Sequence, residues 1–483
     1  MHINLDDQLK TRFGWDSFRP GQKEILESLL SGKSCLGLLP TGAGKSLTYQ
    51  LYSSLKGGIT LCVTPLIALM EDQVSKARNL GLQAQFIHSQ ISSQDKVKRL
   101  ENFEKGLYQL FFVTPERLQK PEFKKVLKNL KIDLFVVDEA HCISLWGHDF
   151  RPDYAKLGEI RQEIGNPLTL ALTATATQEV QKEILSKLKL EDENLIFAGL
   201  KRKNLKVSLT EVYGFENKIE ALLPKLRNRT GAILIYVTLI RTAEEVFREL
   251  KKKSFDILIY HGDLEPRRRK SEMKRFMQDP MSIMVATPAF GLGIDKSNIR
   301  AVYHFEPPAS LESFYQEMGR AGRDGQMSES ILFYDEEDLT IPMQFIQSAH
   351  PENAFIRKVY QLIKENPSRA QTEGESFLHE KLAPKNQKDY RIRSALGILE
   401  RWGCLEQNDE KINLLKELNE ELFELESQEA LMKHHNIKLY ALVQWIRNLS
   451  TCRLVQIYEY FGLKNQSPCG LCDNCQDLNK EKS

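Results

Sequence analysis

The chain opens on a repeating pattern of short, uniformly apolar runs separated by longer stretches in which apolar residues recur every three or four positions. Ser34–Leu39, Ile59–Thr64, Leu110–Val113, Leu134–Val137 and Leu168–Thr173 are the apolar runs. Runs of this length without polar alternation predict strands buried on both faces, and the intervening periodicity predicts helices that cover them. The expected result is a mainly parallel sheet with helical layers. The pattern restarts near Lys206 with Ala232–Val237, Ile257–Tyr260, Ile283–Ala286, Ala301–Phe305 and Ser330–Phe333. The fold class is therefore α/β, with two tandem parallel-sheet lobes joined near Ala198–Asn204.

After about His350 strand signals become rare. Phe355–Lys364 and Tyr390–Arg401 read as amphipathic helices. Gly403–Leu405 and Lys411–Leu415 read as two short strands joined by a polar turn, Glu406–Glu410. Helices followed by a small hairpin predict a winged helix; the alternative is an undifferentiated helical domain. Leu414–Glu429 reads as a surface helix or connector, and Leu439–Leu449 and Arg453–Phe461 as further helices. The expected divisions are a first lobe over 1–200, a second over 201–345, a mainly helical region over 346–430 and a cysteine-bearing module over 431–483.

Composition adds limits. The 483 residues exceed one hydrophobic core. No run of 18 apolar residues exists, and Met1–Lys10 lacks the apolar stretch of a secretory signal, so a cytoplasmic protein is expected. The net charge is only +2, which neither supports nor excludes a nucleic-acid partner, because a local basic track suffices. Four of the eight cysteines, Cys35, Cys62, Cys142 and Cys404, are scattered, and four are grouped near the C-terminus.

Leu39-Pro-Thr-Gly-Ala-Gly-Lys-Ser46 follows a predicted strand and opens a predicted helix, the context of a phosphate-binding loop. Thr41 belongs to that loop, and Gly42 and Gly44 let its backbone turn N–H groups toward phosphate oxygens. Lys45 is expected at the β and γ phosphates and Ser46 at magnesium. Leu39 stands where the generic pattern has glycine. Leu134–Val137 delivers Asp138 and Glu139 to the C-terminal end of a buried strand, where ligands bind in such sheets. Asp138 is expected to hold Mg2+ through water and Glu139 to act as general base. These elements point to a nucleoside triphosphatase.

Asp138-Glu-Ala-His141 together with Gln316-Glu-Met-Gly-Arg-Ala-Gly-Arg-Asp324 resembles superfamily-two helicases. The resemblance implies RecA-like lobes, with Gln316 in the nucleotide site and Arg320 and Arg323 crossing the cleft to the γ-phosphate. Phe13-Gly with Phe18-Arg-Pro-Gly-Gln22 resembles the N-terminal motif of RecQ-family DNA helicases, which implies that Gln22 reads adenine and Arg19 supports the pocket. Pro65–Gln73 and Val113–Leu118 resemble that family's strand-contacting segments. His141-Cys-Ile-Ser-Leu-Trp-Gly-His-Asp-Phe-Arg-Pro152 resembles its aromatic-rich loop, so Trp146, His148, Phe150 and Arg151 are expected on single-stranded DNA. Leu172-Thr-Ala-Thr175 and Val285–Lys296 resemble two further motifs; the second places Gly293 and Asp295 on the ATP side. Ile235–Arg241 is a looser match. Arg267-Arg-Arg-Lys270 reads as a solvated face.

Cys452, Cys469, Cys472 and Cys475 are spaced C-x16-C-x2-C-x2-C, with Pro468, Gly470 and Asp473 supplying turns. Four thiolates predict a closed, structural Zn2+ site, with an iron–sulfur cluster as the alternative. Thr451-Cys-Arg, Tyr460-Phe-Gly462 and Pro468-Cys-Gly resemble the RecQ zinc module. In familiar members that module follows the second lobe closely and precedes a winged helix; here about a hundred residues separate Pro342 from Cys452, and no winged helix is expected after the zinc ligands.

The family resemblance implies an ATP-dependent 3′-to-5′ DNA helicase acting in repair and recombination. ATP, Mg2+ and Zn2+ are the implied cofactors. The implied partners are single-stranded, forked or branched DNA and a single-strand-binding protein, with the chain a monomer. A DNA-dependent translocase or strand-annealing remodeller is the alternative reading. An RNA helicase and a non-catalytic DNA-binding protein fit the motifs less well.

Overall fold

The computed structural model describes residues 4–146, 151–191, 194–198, 202–291, 296–383, 389–408, 411–425 and 427–480. They form two compact units: 1–306, 312–334 and 448–483 in one, 307–311 and 335–447 in the other.

The first unit holds both lobes. Lobe 1 has seven strands, β1 (Cys35–Leu38), β2 (Thr60–Val63), β3 (Ala84–Ile87), β4 (Leu110–Val113), β5 (Leu134–Asp138), β6 (Leu168–Thr173) and β7 (Leu195–Phe197), in spatial order β3-β4-β2-β5-β6-β1-β7. Lobe 2 has six, β8 (Leu205–Glu211), β9 (Ala232–Tyr236), β10 (Ile257–Tyr260), β11 (Ile283–Ala286), β12 (Ile299–His304) and β13 (Ser328–Tyr334), in order β10-β11-β9-β12-β13-β8. Every pairing in both sheets is parallel. Apart from Ile257–Tyr260, which is the edge strand β10, the apolar runs hold the inner strands, where residues of both parities are buried. In β5, Leu134, Phe135, Val136 and Val137 are all fully inaccessible, and they divide between the two cores that flank the sheet.

Three strands were not legible as such. β3 carries Gln85 within four residues, β7 is three half-buried residues, and β8 alternates apolar and polar positions. β7 and β8 are edge strands, and an edge strand need not be apolar on both faces.

The second unit has its own core, built by Ile356, Leu378, Leu396, Leu399, Trp402 and their neighbours. Helices Asn353–Glu365, Pro367–Glu373, Glu375–Leu382 and Tyr390–Arg401 precede an antiparallel hairpin, β14 (Leu405–Asn408) and β15 (Lys411–Leu414). The hairpin corrects the expected strand Gly403–Leu405 and turn Glu406–Glu410. Glu406, Gln407 and Asn408 pair with Asn413, Ile412 and Lys411. An exposed two-stranded ribbon buries only one face, so its polar residues were misread as turn. Leu414–Glu429 is not one helix: it contains the short helix Glu421–Leu425 and the start of the helix Gln428–Arg447. The expected divisions at 345/346 and 430/431 fall inside the helices Thr340–Ala349 and Gln428–Arg447.

Candidate nucleotide site and metal centre

β1 ends in the turn that becomes the phosphate-binding loop. Gly42 (φ +81°) and Gly44 (φ +74°) both take the left-handed conformation, and the helix Lys45–Lys56 starts directly after them. A side chain at either position is strained, which is why glycine stands there. The Lys45 Nζ lies 3.4 Å from Glu139 Oε1 at the end of β5. Glu139 itself has φ +50°, an uncommon backbone for a non-glycine residue and one found at functional sites. Tyr154 Oη donates to the Asp138 carbonyl at 2.9 Å and fixes that strand end. His141 Nδ1 sits 3.4 Å from Glu139 Oε2 and 2.8 Å from Thr173 Oγ1, connecting the acidic pair to the Thr173-Ala-Thr175 segment after β6.

Burial first, and the Glu139 carboxylate second, push the Asp138 carboxyl up from 3.8 to about 6, while Lys45 and the Glu139 amide pull it down. The folded metal-free protein therefore retains a proton that the unfolded chain has released. Its stability falls as pH rises through that window, by about 1–3 kcal/mol. Asp138→Asn is expected to melt several degrees above the metal-free wild type at pH 7.5, at about 2–4 °C per kcal/mol. The gap should close near pH 4; a gap of equal size at both pH values would rule out Asp138 ionisation as its source.

The cleft against this loop encloses about 290 Å³ and is lined from lobe 1 by Thr41, Gly42, Gly44, Lys45, Ser46, Asp138 and Glu139, and from lobe 2 by Gln316, Arg320 and Arg323. Arg323 lies so close over the loop that a Cβ on Gly42 would fall 2.9 Å from its Cγ. Arg320 is 3% exposed. Gln22 is fully buried, and its amide is committed within the protein: Nε2 donates to the carbonyls of Ala43 (2.8 Å) and Gly44 (3.0 Å), and Oε1 accepts from the Arg19 amide (2.9 Å). Arg19 also donates to the Gly42 carbonyl. The two residues expected at the adenine thus hold the loop in this structure.

Sequence reasoning missed three contributors. Trp15 lines the cleft, with the Arg19 guanidinium 5.6 Å from its ring centre. Its position between Gly14 and Phe18 was the available signal. Arg202, read only as part of the joint, donates to the carbonyls of Ala321 (2.5 Å) and Gly322 (3.0 Å), and Asn204 Nδ2 donates to those of Gly322 (2.8 Å) and Gln326 (2.9 Å). Together they clamp the loop that presents Arg323.

Of the expected DNA-contacting residues, Trp146 is half-buried and packs against the lobe 1 core, with its amide on Ser144 Oγ at 3.1 Å. The Arg151 amide donates to the Cys142 carbonyl at 3.0 Å. His148, Phe150, Gly293 and Asp295 lie outside the described residues.

The four grouped cysteines converge, with all Sγ atoms within 4.8 Å of one another. Cys452 and Cys472 are 3.8 Å apart and Cys469 and Cys475 are 4.0 Å apart. Tetrahedral thiolates around a zinc at about 2.3 Å stand roughly 3.8 Å apart, so the donor set fits that ion. Backbone amides of Arg453, Cys469, Leu471, Cys472 and Cys475 point at the sulfurs from 3.3–3.4 Å, as suits thiolates. The module is tied to both lobes. Asp473 Oδ2 accepts from the Leu209 amide of β8 at 2.9 Å, and Gln181 Nε2 of lobe 1 donates to the Phe461 carbonyl at 3.3 Å.

Family models match three stretches: DEAD/DEAH box helicase over residues 19–184, helicase conserved C-terminal domain over 216–325 and RecQ zinc-binding over 410–476. Bacillus subtilis ATP-dependent DNA helicase RecQ is 38% identical over 73% of this chain and 60% of its own length. The B. subtilis protein named "Probable ATP-dependent DNA helicase RecS" is 39% identical over 76% of this chain and 74% of its own length. The chain thus spans 60% of the RecQ relative. Among solved structures, Mycobacterium smegmatis helicase Lhr bound to ssDNA and AMP-PNP aligns with a TM-score of 0.55 at 16% identity, over 86% of this chain and 60% of that one, which shows a shared fold. No helix among the described residues is long and apolar enough to cross a membrane. ATP and zinc are the cofactors that these matches carry. The chain belongs to the RecQ family of ATP-dependent DNA helicases.

Proposed function

We propose that this protein is an ATP-dependent DNA helicase that moves 3′-to-5′ along one strand and separates duplexes at single-stranded tails, forks or branches. The observation that carries the reading is the two-lobed cleft: Lys45, Asp138 and Glu139 on one wall, Arg320 and Arg323 on the other. A triphosphate in that cleft touches both lobes, so its hydrolysis changes what holds them together. Direction and DNA preference rest on the family.

Ser46 and Asp138 would hold Mg2+, which supplies charge neutralisation for the phosphates. The loop amides and Lys45 bind and orient the phosphate chain. Glu139, held by Lys45 and His141, orients the attacking water and accepts its proton. Arg323 and Arg320 stabilise charge on the transferring group only when the lobes are together.

The test is strand separation with ATP on duplexes carrying a 3′ tail, a 5′ tail, a fork or blunt ends. Separation of 3′-tailed and forked substrates alone is expected. ATP consumption indifferent to added DNA would sink the reading, and DNA-stimulated hydrolysis without strand separation would favour a translocase. Trp146, seven residues beyond Glu139, is expected to couple the two activities. Trp146→Ala is expected to weaken single-stranded DNA binding about tenfold, the loss of one stacked base. Unwinding should then fall more than basal ATP hydrolysis. Equal unwinding by variant and wild type would make Trp146 a purely structural residue.

A further inference from the structure

Arg320 lines the nucleotide cleft and is almost wholly buried, yet among the described residues no carboxylate pairs with its guanidinium and its Nε–H has no acceptor. Burying an unpaired cation is costly, so its seat calls for an explanation. One neighbour is Gly291, where a Cβ would stand 2.8 Å from Arg320 Nη2 and 2.9 Å from the Pro288 carbonyl. Another is Tyr236, the last residue of β9, which is 2% exposed and whose hydroxyl also lacks a hydrogen-bond partner. Burial holds that hydroxyl protonated, well above its usual range, and Arg320 is the foremost charge opposing the shift. A phenol oxygen can accept, whereas a guanidinium N–H can only donate. The two unsatisfied groups therefore complement each other, and a small shift of Arg320 joins them.

Tyr236 is itself fixed from behind. It pairs with His304 across β9 and β12, and the two rings stack with centres 5.6 Å apart and planes 25° from parallel. His304 Nε2 lies 2.8 Å from Glu317 Oε2, and both side chains are buried. Glu317 stands one turn before Arg320, whose amide donates to the Glu317 carbonyl at 3.2 Å. A chain of contacts thus runs from Tyr236 through His304 and Glu317 back to Arg320. We propose that Tyr236 is a positioning residue for Arg320: its hydroxyl accepts the Nε–H when the guanidinium turns to the transferring phosphoryl group, and leaves Nη1 and Nη2 for the phosphate oxygens. His304 and Glu317 keep the tyrosine ring and the arginine backbone in register. Tyr236 is absent from the lining of the cleft, so it acts through Arg320 and not on the nucleotide. The proposal rests on the helicase reading, in which Arg320 meets the transferring group.

The experiment is a double-mutant cycle on the full chain, read as ATP hydrolysis at saturating single-stranded DNA with kcat and KM determined separately. Tyr236→Phe is expected to lower kcat about tenfold and to leave KM for ATP unchanged, the loss of one oriented hydrogen bond to a charged group. In an Arg320→Ala background the same change should cost nothing further, because the group it orients is gone. The melting temperature without nucleotide should stay at or above that of wild type, since the hydroxyl satisfies no partner there. An equal fractional loss in both backgrounds, a wild-type kcat in Tyr236→Phe, or a melting temperature several degrees lower would each overturn the proposal and leave the helicase reading untouched. An Arg320→Ala chain as active as wild type would instead sink the role of Arg320 in that reading, and the positioning role with it.

Discussion

Arg323→Ala is expected to slow ATP hydrolysis about a thousandfold while leaving nucleotide affinity nearly unchanged. An arginine offered across a cleft to a transferring phosphoryl group is worth roughly 10³–10⁵ in rate in other enzymes, because it meets charge that develops only in the transition state. This chain positions such a group deliberately. Gly322 (φ +62°) turns the chain immediately before Arg323, and its carbonyl is held by Arg202 and Asn204. A Cβ on Gly322 would meet Asn204 Nδ2 at 2.5 Å, so the clamp and the turn depend on each other. Lysine should recover little, since an ammonium cannot reproduce the planar fork of a guanidinium. Single-turnover hydrolysis at saturating single-stranded DNA, paired with titration of a fluorescent ATP analogue, separates the two quantities. A hydrolysis rate close to wild type's would remove Arg323 from the chemistry. Arg202→Ala, which removes donors to the Gly319, Ala321 and Gly322 carbonyls and to Asn204 Oδ1, should give a smaller loss in the same quantity.

The nucleotide site was legible because its parts are local. Glycines at Gly42 and Gly44, a lysine at the start of a helix and two acids at the end of an apolar strand each announce themselves within a few residues. The structure then brings Lys45 to Glu139 across 94 positions of sequence, as the strand order requires. What stayed hidden was long-range or two-faced. Arg202 acts on carbonyls more than a hundred residues away, and nothing in its neighbourhood marks it. Gln22 was expected to face adenine, whereas the fold uses both ends of its amide to hold the loop. The second unit was read least well. β14 and β15 bury Leu405 and Ile412 but expose much of their polar length, so hydrophobic pattern alone could not place the turn.

Removing the zinc ligands is expected to affect far more than the last thirty residues. Cys472→Ser should abolish zinc retention, leave the segment after Asn448 open to proteolysis and reduce DNA-stimulated ATP hydrolysis. Zinc-coupled folding in small peptides is worth about 10–16 kcal/mol at neutral pH. Cys472 is fully buried, and its sulfur accepts the amides of Arg453 and Cys475. Arg453, 1% exposed, forms an ion pair with Asp473 at 3.1 Å, and Asp473 also receives the Leu209 amide from the free edge of β8. Losing the metal therefore unpairs a buried arginine and uncaps a strand whose other edge supports β13, just after the loop that carries Arg323. Phe461 packs on Tyr315 with ring centres 5.2 Å apart, and its carbonyl accepts from Gln181, so lobe 1 loses a contact as well. Zinc content by mass spectrometry, limited proteolysis and ATP turnover test the chain of consequences in order. A zinc-free variant that resists protease and hydrolyses ATP like wild type would mean that the protein contacts hold the module without the ion.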